Sequence, residues 1–180
     1  MLGKKRRSYL DHFHKNAAGE YIYSGEHYAY TTEKKPRRRA LGELWVLCAL
    51  AVATTLVGGC IPVPGLSGCA YVLIPYVVGV IASCSLIWTM GQLSAGGDPL
   101  REYVYLTTVK KLPHRTLITA AASCLAVLGE AVYLLRIGGG EKTGLAVLFL
   151  VLEVVAAVSA ALAWGCCKGL SWDKTKKIED

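Results

Sequence analysis

Four long apolar blocks constrain this chain more than any other feature of its sequence. They lie near residues 40–60, 70–90, 116–136 and 143–167. Each is long enough for a helix that crosses a hydrocarbon core, which takes about 20 residues. The blocks lack the alternation of membrane-barrel strands, and a helix is the other structure that satisfies its own backbone in lipid. We therefore predict an all-α membrane protein with four transmembrane helices in an antiparallel bundle.

Lysine and arginine are concentrated on one side of the predicted spans. Of the 20 such residues, ten precede residue 40, four lie in 91–115 and four follow Cys167. The positive-inside rule then places both termini and the middle loop in the cytoplasm, with the cell (plasma) membrane as the expected location. We interpret the net charge of +7 as contact with anionic headgroups at the cytoplasmic face rather than as nucleic-acid binding.

Two aromatic-basic strings indicate an internal repeat. Tyr28 and Tyr30 recur 75 positions later as Tyr103 and Tyr105, and a Lys-Lys pair follows each string. Four further pairs recur at an offset of 76: Cys48 with Cys124, Ser83 with Ser159, Leu86 with Leu162, and Trp88 with Trp164. Because each half holds an even number of crossings, we expect tandem parallel repeats, related by an axis along the membrane normal.

The repeat divides the chain into alternating cytoplasmic and membrane segments. These are a basic and aromatic segment (1–39), a first transmembrane hairpin (40–92), a loop that repeats the aromatic-basic motif (93–115), a second transmembrane hairpin (116–167) and a tail (168–180). Within the first segment, 20–31 predicts a β-hairpin around a Gly25-Glu26 turn, with Tyr23 opposite Tyr28 and Tyr21 opposite Tyr30. An isolated hairpin is marginal in water, so Tyr103 to Tyr105 should cover it or add a strand.

The first candidate site is the aromatic and basic surface of this small cap. Its members are Tyr21, Tyr23, Tyr28, Tyr30, Tyr103, Tyr105, Arg37, Arg38 and Arg39. One interpretation is an interfacial cap at headgroup depth, where tyrosine is favoured. The other is a surface that binds a partner protein or an anionic ligand, because Tyr and Arg dominate binding hot spots.

The second candidate site lies inside the membrane. It comprises Glu130 and Glu153 with Ser123, Thr119 and Tyr133. At 1.5 Å per residue the two carboxyls lie about 10 and about 15 Å from the outer ends of their helices. An ionised carboxyl at that depth costs a few kcal/mol, so we expect both to face the bundle and at least one to be protonated. They either hydrogen-bond across helices or form a proton or cation site.

The remaining residues carry weaker signals. Cys60 and Cys69 bracket the outer loop and would be able to form a disulfide in an oxidising exterior. We find no metal-ligand set, no cofactor fingerprint and no catalytic motif, so we predict that the protein is not an enzyme. The sequence favours an accessory, scaffolding or assembly subunit of a membrane complex, or a homo-oligomer. The alternative is a small oligomeric channel or a proton- or cation-coupled transporter that uses Glu130 and Glu153.

Overall fold

The computed structural model of the protein describes residues 13–15, 21–23, 25–33, 35–137 and 140–175, the first two ranges as backbone only. In chain order the elements are β1 (Phe13–Lys15), β2 (Tyr21–Tyr23), β3 (His27–Tyr30), α1 (Arg37–Gly59), α2 (Pro64–Gly68), α3 (Ala70–Ala95), β4 (Leu100–Arg101), α4 (Glu102–Thr107), α5 (Leu112–Ile137), a 3-10 turn (Gly140–Lys142), α6 (Thr143–Lys168) and β5 (Trp172–Thr175). The fold is thus four long helices with a few short strands.

The four long helices, α1, α3, α5 and α6, are long and apolar enough to cross a membrane. This confirms the predicted number of spans. The observed α5 begins at Leu112 rather than near residue 116. Pro113 lies in its first turn, where a residue without an N–H removes no hydrogen bond of the helix. Between 28% and 39% of each span is buried inside the structure. Most of each apolar surface therefore faces outward, towards lipid or another protein.

The four long helices pack on one another, α5 on α3 and α6, and α1 on the same two helices. We call these four packed helices the bundle. Three core clusters follow one another along the bundle axis. The first contains Leu44, Leu86 and Met90, and the second is built from alanines alone, such as Ala51. The third surrounds Phe149. Small residues at the middle level let the helix backbones approach closely.

A three-stranded antiparallel sheet, in the order β4-β3-β5, lies at one end of the bundle. We call this end, where α1 and α5 begin and α3 and α6 end, the basic end. Tyr28 pairs with Leu100 on one edge of β3 and with Lys174 on the other, and Tyr30 pairs with Trp172. The sheet thus joins the segment before α1, the segment after α3 and the segment after α6.

The predicted hairpin over 20–31 is wrong. β2 pairs with β1, with Tyr23 opposite Phe13, and the two form a separate sheet. The reason is physical: β4 and β5 follow α3 and α6 directly, so the bundle already holds them beside β3. Pairing with strands held in place loses less chain entropy than closing an isolated hairpin.

The matched positions do not give consistent support for the internal repeat, since Ser83 and Ser159 are both buried but other pairs differ. The first aromatic string forms the strand β3, whereas Tyr103 and Tyr105 lie in the helix α4. Among the helical pairs, Leu86 is fully buried while Leu162 is 55% exposed. Cys48 is buried and its counterpart Cys124 is exposed. Equivalent repeats would give matched residues similar surroundings, so the duplication stays a prediction.

Candidate functional site

The two intramembrane carboxylates lie inside the bundle. Glu130 on α5 is 0% exposed and Glu153 on α6 is 1% exposed. Both residues stand on the inner faces of their helices, among the buried positions that include Ser123 and Phe149. The prediction that both point into the bundle is therefore confirmed, and neither side chain faces lipid.

Two glycines make room for these carboxylates. A Cβ built on Gly65 of α2 would overlap the Glu130 carboxylate, so the short helix lies directly against it. A Cβ on Gly58, near the end of α1, would lie 3.4 Å from Phe149 and 3.5 Å from Glu153 Oε1. The outer loop and the end of α1 thus close over the carboxylates at the end of the bundle opposite the sheet.

The carboxylates have few hydrogen-bond partners. Neither oxygen of Glu130 bonds to any described residue, and the same holds for Oε1 of Glu153. The hydroxyls of Ser83 and Ser123 are also buried without a partner in the described chain, although Ser123 faces Glu153. For Glu130 no hydrogen bond across helices is present among the described residues, and its carboxylate lies against Gly65. A buried polar group without a partner costs about 1–3 kcal/mol and needs an explanation.

The other polar residues predicted for this site are less involved. Thr119 is buried, but its hydroxyl donates to the Arg115 carbonyl oxygen at 3.0 Å within its own helix. Tyr133 is only half-buried. Tyr76 on α3 was not predicted for this site. Its hydroxyl donates a hydrogen bond to the Thr55 carbonyl oxygen at 2.8 Å, and its ring packs on Phe149.

At the basic end, tyrosines hold the sheet to the helices. Tyr28 is buried and stacks on Tyr105 of α4, with 4.0 Å between ring centroids. Tyr30 makes an edge-on contact with Trp172, and its hydroxyl donates to the Lys35 carbonyl oxygen at 3.1 Å. The 103–105 segment therefore packs on β3 through Tyr105, although the hairpin that it was expected to cover is not formed. Tyr103 is 42% exposed.

The three arginines that begin α1 have different surroundings. Arg37 turns inward and donates to the carbonyl oxygens of Gly96 and Gly97 at 2.9 and 3.3 Å, which ties the start of α1 to the end of α3. Arg38 and Arg39 are exposed. Arg39 pairs with Glu43 at 3.5 Å, one helical turn on.

Tyr21 and Tyr23 belong to β2, and their side chains lie outside the described residues. Arg38, Arg39 and Tyr103 therefore remain the accessible members of the predicted surface.

The sequence did not mark Trp172 and Lys174 of β5 as site residues. Lys174 forms an ion pair with Glu26 at 2.8 Å, and its hydrogen bond to that carboxylate raises the pKa of the ammonium group. Burial raises the pKa of the neighbouring Tyr28 phenol. The W-D-K-T segment that follows α6 was the one available signal, because it begins with an aromatic residue and ends with a β-branched one, both of which are enriched in strands.

The outer loop carries the two candidate disulfide cysteines. Cys60 and Cys69 are free thiols in the structure, and α2 occupies the loop between them. The disulfide that the spacing allowed is therefore not formed here. Among the described residues, no group of three His, Cys, Asp or Glu side chains is placed to hold a metal ion.

In length and composition the four apolar helices are compatible with a polytopic membrane protein. Comparison with family models, curated proteins and solved structures found no match to this chain. Its function therefore has to be argued from the geometry of the two sites.

Proposed function

We propose that the protein is a non-catalytic integral membrane subunit, which supports the assembly of a membrane complex or of its own oligomer. The bundle would contact its partners through its outward apolar faces, and the basic end would present a fixed surface in the cytoplasm. The cell membrane is the proposed location, with the basic end inside because cations are retained on that side.

The observation that carries this proposal is the closure of the bundle interior. The two carboxylates that a passage would use are 0% and 1% exposed, under Gly65 and Gly58. A permanently open pore or crevice would leave them accessible to water. A closed interior of small and apolar side chains fits a role in helix packing better than an open passage.

The basic end supports the same proposal. One sheet joins three segments from different parts of the chain, and Arg37 bonds to the end of α3. The exposed Arg38, Arg39 and Tyr103 therefore stand on a structured base, so a partner that binds them need not order the surface first.

Co-purification after cross-linking in the native membrane tests the proposal. We expect wild-type protein to retain a partner or a second copy in stoichiometric amount. The double variant Arg38→Ala with Arg39→Ala should lose that partner if it binds at the basic end. Lys142→Ala, which removes a cation at the opposite end, is the matched control and should retain it. Recovery of monomer alone from cross-linked membranes contradicts the proposal.

A second candidate function is a small channel or a proton- or cation-coupled transporter. The observation that favours it is a set of buried polar side chains on three helices, Ser83, Glu130 and the facing pair Ser123 and Glu153. Most of their polar atoms have no partner among the described residues. A proton, a water molecule or a small cation would satisfy such atoms. Transport would require the cover formed by α2 to move.

Flux measurements in liposomes separate the two functions. The assembly proposal expects no proton or sodium flux above that of protein-free liposomes, for wild type and for Glu130→Gln alike. A flux that wild type supports and that folded Glu130→Gln or Glu153→Gln abolishes would favour transport instead.

A further inference from the structure

A groove of about 300 Å³ lies between α3 and α5 on the outer surface of the bundle. Val78, Ile81, Ala82 and Ser85 of α3 line one side, and Arg115 and Ile118 of α5 line the other. Ile81 is 66% exposed, so the groove opens towards the surroundings of the bundle rather than into its core. In a membrane those surroundings are lipid.

The groove is lined almost entirely by apolar atoms, and the two lining residues that carry a polar group, Ser85 and Arg115, lie at one end of it. Arg115 and Ser85 stand at the end nearer the sheet, since α5 begins at Leu112 and α3 runs towards Ala95. From Ser85 back to Val78 the groove follows seven residues of helix, about 10 Å at 1.5 Å per residue. An acyl chain lying in the apolar groove would therefore place its headgroup at the end where Arg115 stands, which is the basic end.

The guanidinium of Arg115 carries an uncompensated charge. Its Nη1 donates to the Ser85 carbonyl oxygen at 2.9 Å and to the Thr89 hydroxyl. Both acceptors are neutral, and none of the ion pairs in the described part of the chain involves Arg115. The Nη1 bonds hold the group in place at the groove, and its other N–H groups remain available to a phosphate, whose geometry suits a guanidinium.

We propose that this groove binds one anionic phospholipid, with an acyl chain along Val78, Ile81 and Ile118 and the phosphate paired with Arg115. The positive charge of Arg115 favours an anionic headgroup, and the apolar lining of the groove favours an acyl chain. Basic pockets between transmembrane helices are known sites for such headgroups. The inference requires only that α3 and α5 cross the membrane, so it does not depend on the assembly role.

Native mass spectrometry of the full chain in neutral detergent tests the proposal. The probes are dioleoyl phosphatidylglycerol and dioleoyl phosphatidylcholine at matched concentrations. We expect wild type to retain one phosphatidylglycerol more strongly than phosphatidylcholine. Arg115→Gln keeps a hydrogen-bond donor but removes the charge, and it should weaken phosphatidylglycerol binding about fivefold. Lys111→Gln removes an exposed cation one helical turn earlier and should leave the preference unchanged.

A second pair of variants tests the acyl chain. Ile118→Trp should fill the groove and abolish retention of the single lipid, while Leu117→Trp changes the adjacent exposed position outside the groove and should not. This pair decides the matter even if Arg115→Gln does not fold.

Three results overturn the proposal: equal retention of the two lipids by wild type, equal behaviour of the two tryptophan variants, or loss of the preference in Lys111→Gln but not in Arg115→Gln. A dimer that lipid does not dissociate and that Ile118→Trp breaks would assign the groove to a second copy instead.

Discussion

Tyr28 and Tyr105 stack with their ring planes 3° apart and their centroids 4.0 Å apart. Tyr28 belongs to the central strand of the sheet and Tyr105 to the short helix between α3 and α5. This one contact therefore couples the segment before α1 to the loop between the two halves of the bundle.

Removing the Tyr105 ring should loosen the sheet. We expect Tyr105→Ala to lose about 1 kcal/mol from the stacked pair, in addition to the buried area, so that the backbone amides of β3 exchange hydrogen at least fivefold faster. Tyr105→Phe keeps the ring and should exchange like wild type. Equal exchange in Tyr105→Ala and Tyr105→Phe would show that the stack contributes nothing.

The sheet should weaken in alkali. Burial raises the pKa of Tyr28 above 10.0, so the unfolded chain releases that proton first and stability falls as the pH rises past 10. The Glu26 carboxylate raises the pKa of Lys174 above 10.5, so this ion pair stabilises below that pH and is lost as the pH rises through the folded value. Both effects have the same sign, and the second is the smaller because Lys174 is 64% exposed.

Trp172 fluorescence reports the alkaline transition in a variant whose other three tryptophans are replaced by phenylalanine. We expect its emission to shift above about pH 10. Tyr28→Phe should remove most of this shift, since its ring has no proton to lose. An unchanged profile in Tyr28→Phe would assign the transition to another group.

Gly129 permits a close approach of α3 to α5. A Cβ at this position would lie 2.9 Å from the Tyr71 carbonyl oxygen and 3.4 Å from Val72 Cα, which are backbone atoms that do not yield easily. We expect Gly129→Ala to destabilise the protein by about 1–3 kcal/mol in detergent unfolding. Gly91→Ala on α3 is the matched control, because nothing lies within 4 Å of the place its methyl group would take. It should be neutral or stabilising, and equal losses in the two variants would refute the packing argument.

Glu130 should be dispensable for folding. Neither carboxylate oxygen has a partner among the described residues. Glu130→Leu therefore removes the free-energy cost of burying an unpaired polar group, which is about 1–3 kcal/mol. We expect this variant to unfold at the same or a higher temperature than wild type, and Glu130→Gln to fold as well. Unfolding of both variants would mean that the carboxylate holds a proton-linked or ionic partner essential to the bundle.

Cysteine labelling tests the orientation. In a cysteine-free background, Gly68→Cys lies in the outer loop and Gly97→Cys at the basic end, and both positions are exposed with open space around them. An impermeant reagent should label Gly68→Cys in intact cells and Gly97→Cys only after permeabilisation. The reverse pattern would place the basic end outside.

Hydropathy averaged over a whole span predicted the four helices, because the length of an apolar segment largely determines whether it can cross a bilayer as a helix. The same physics predicted that Glu130 and Glu153 face inward. The sheet was not predictable locally, since the partners of β3 follow α3 and α6 and only the folded bundle brings them together. The inward turn of Arg37 was missed for the same reason: its acceptors, Gly96 and Gly97, belong to a different helix end.

The position of β5 in the chain has a consequence for biogenesis. β3 is synthesised before α1, yet its partner strand β5 emerges only after α6. One edge of β3 therefore stays open throughout synthesis and insertion of the bundle. Completion of the sheet marks the moment when all four crossings are in place, so a protease or chaperone that recognises an open strand edge could distinguish nascent chains from finished ones.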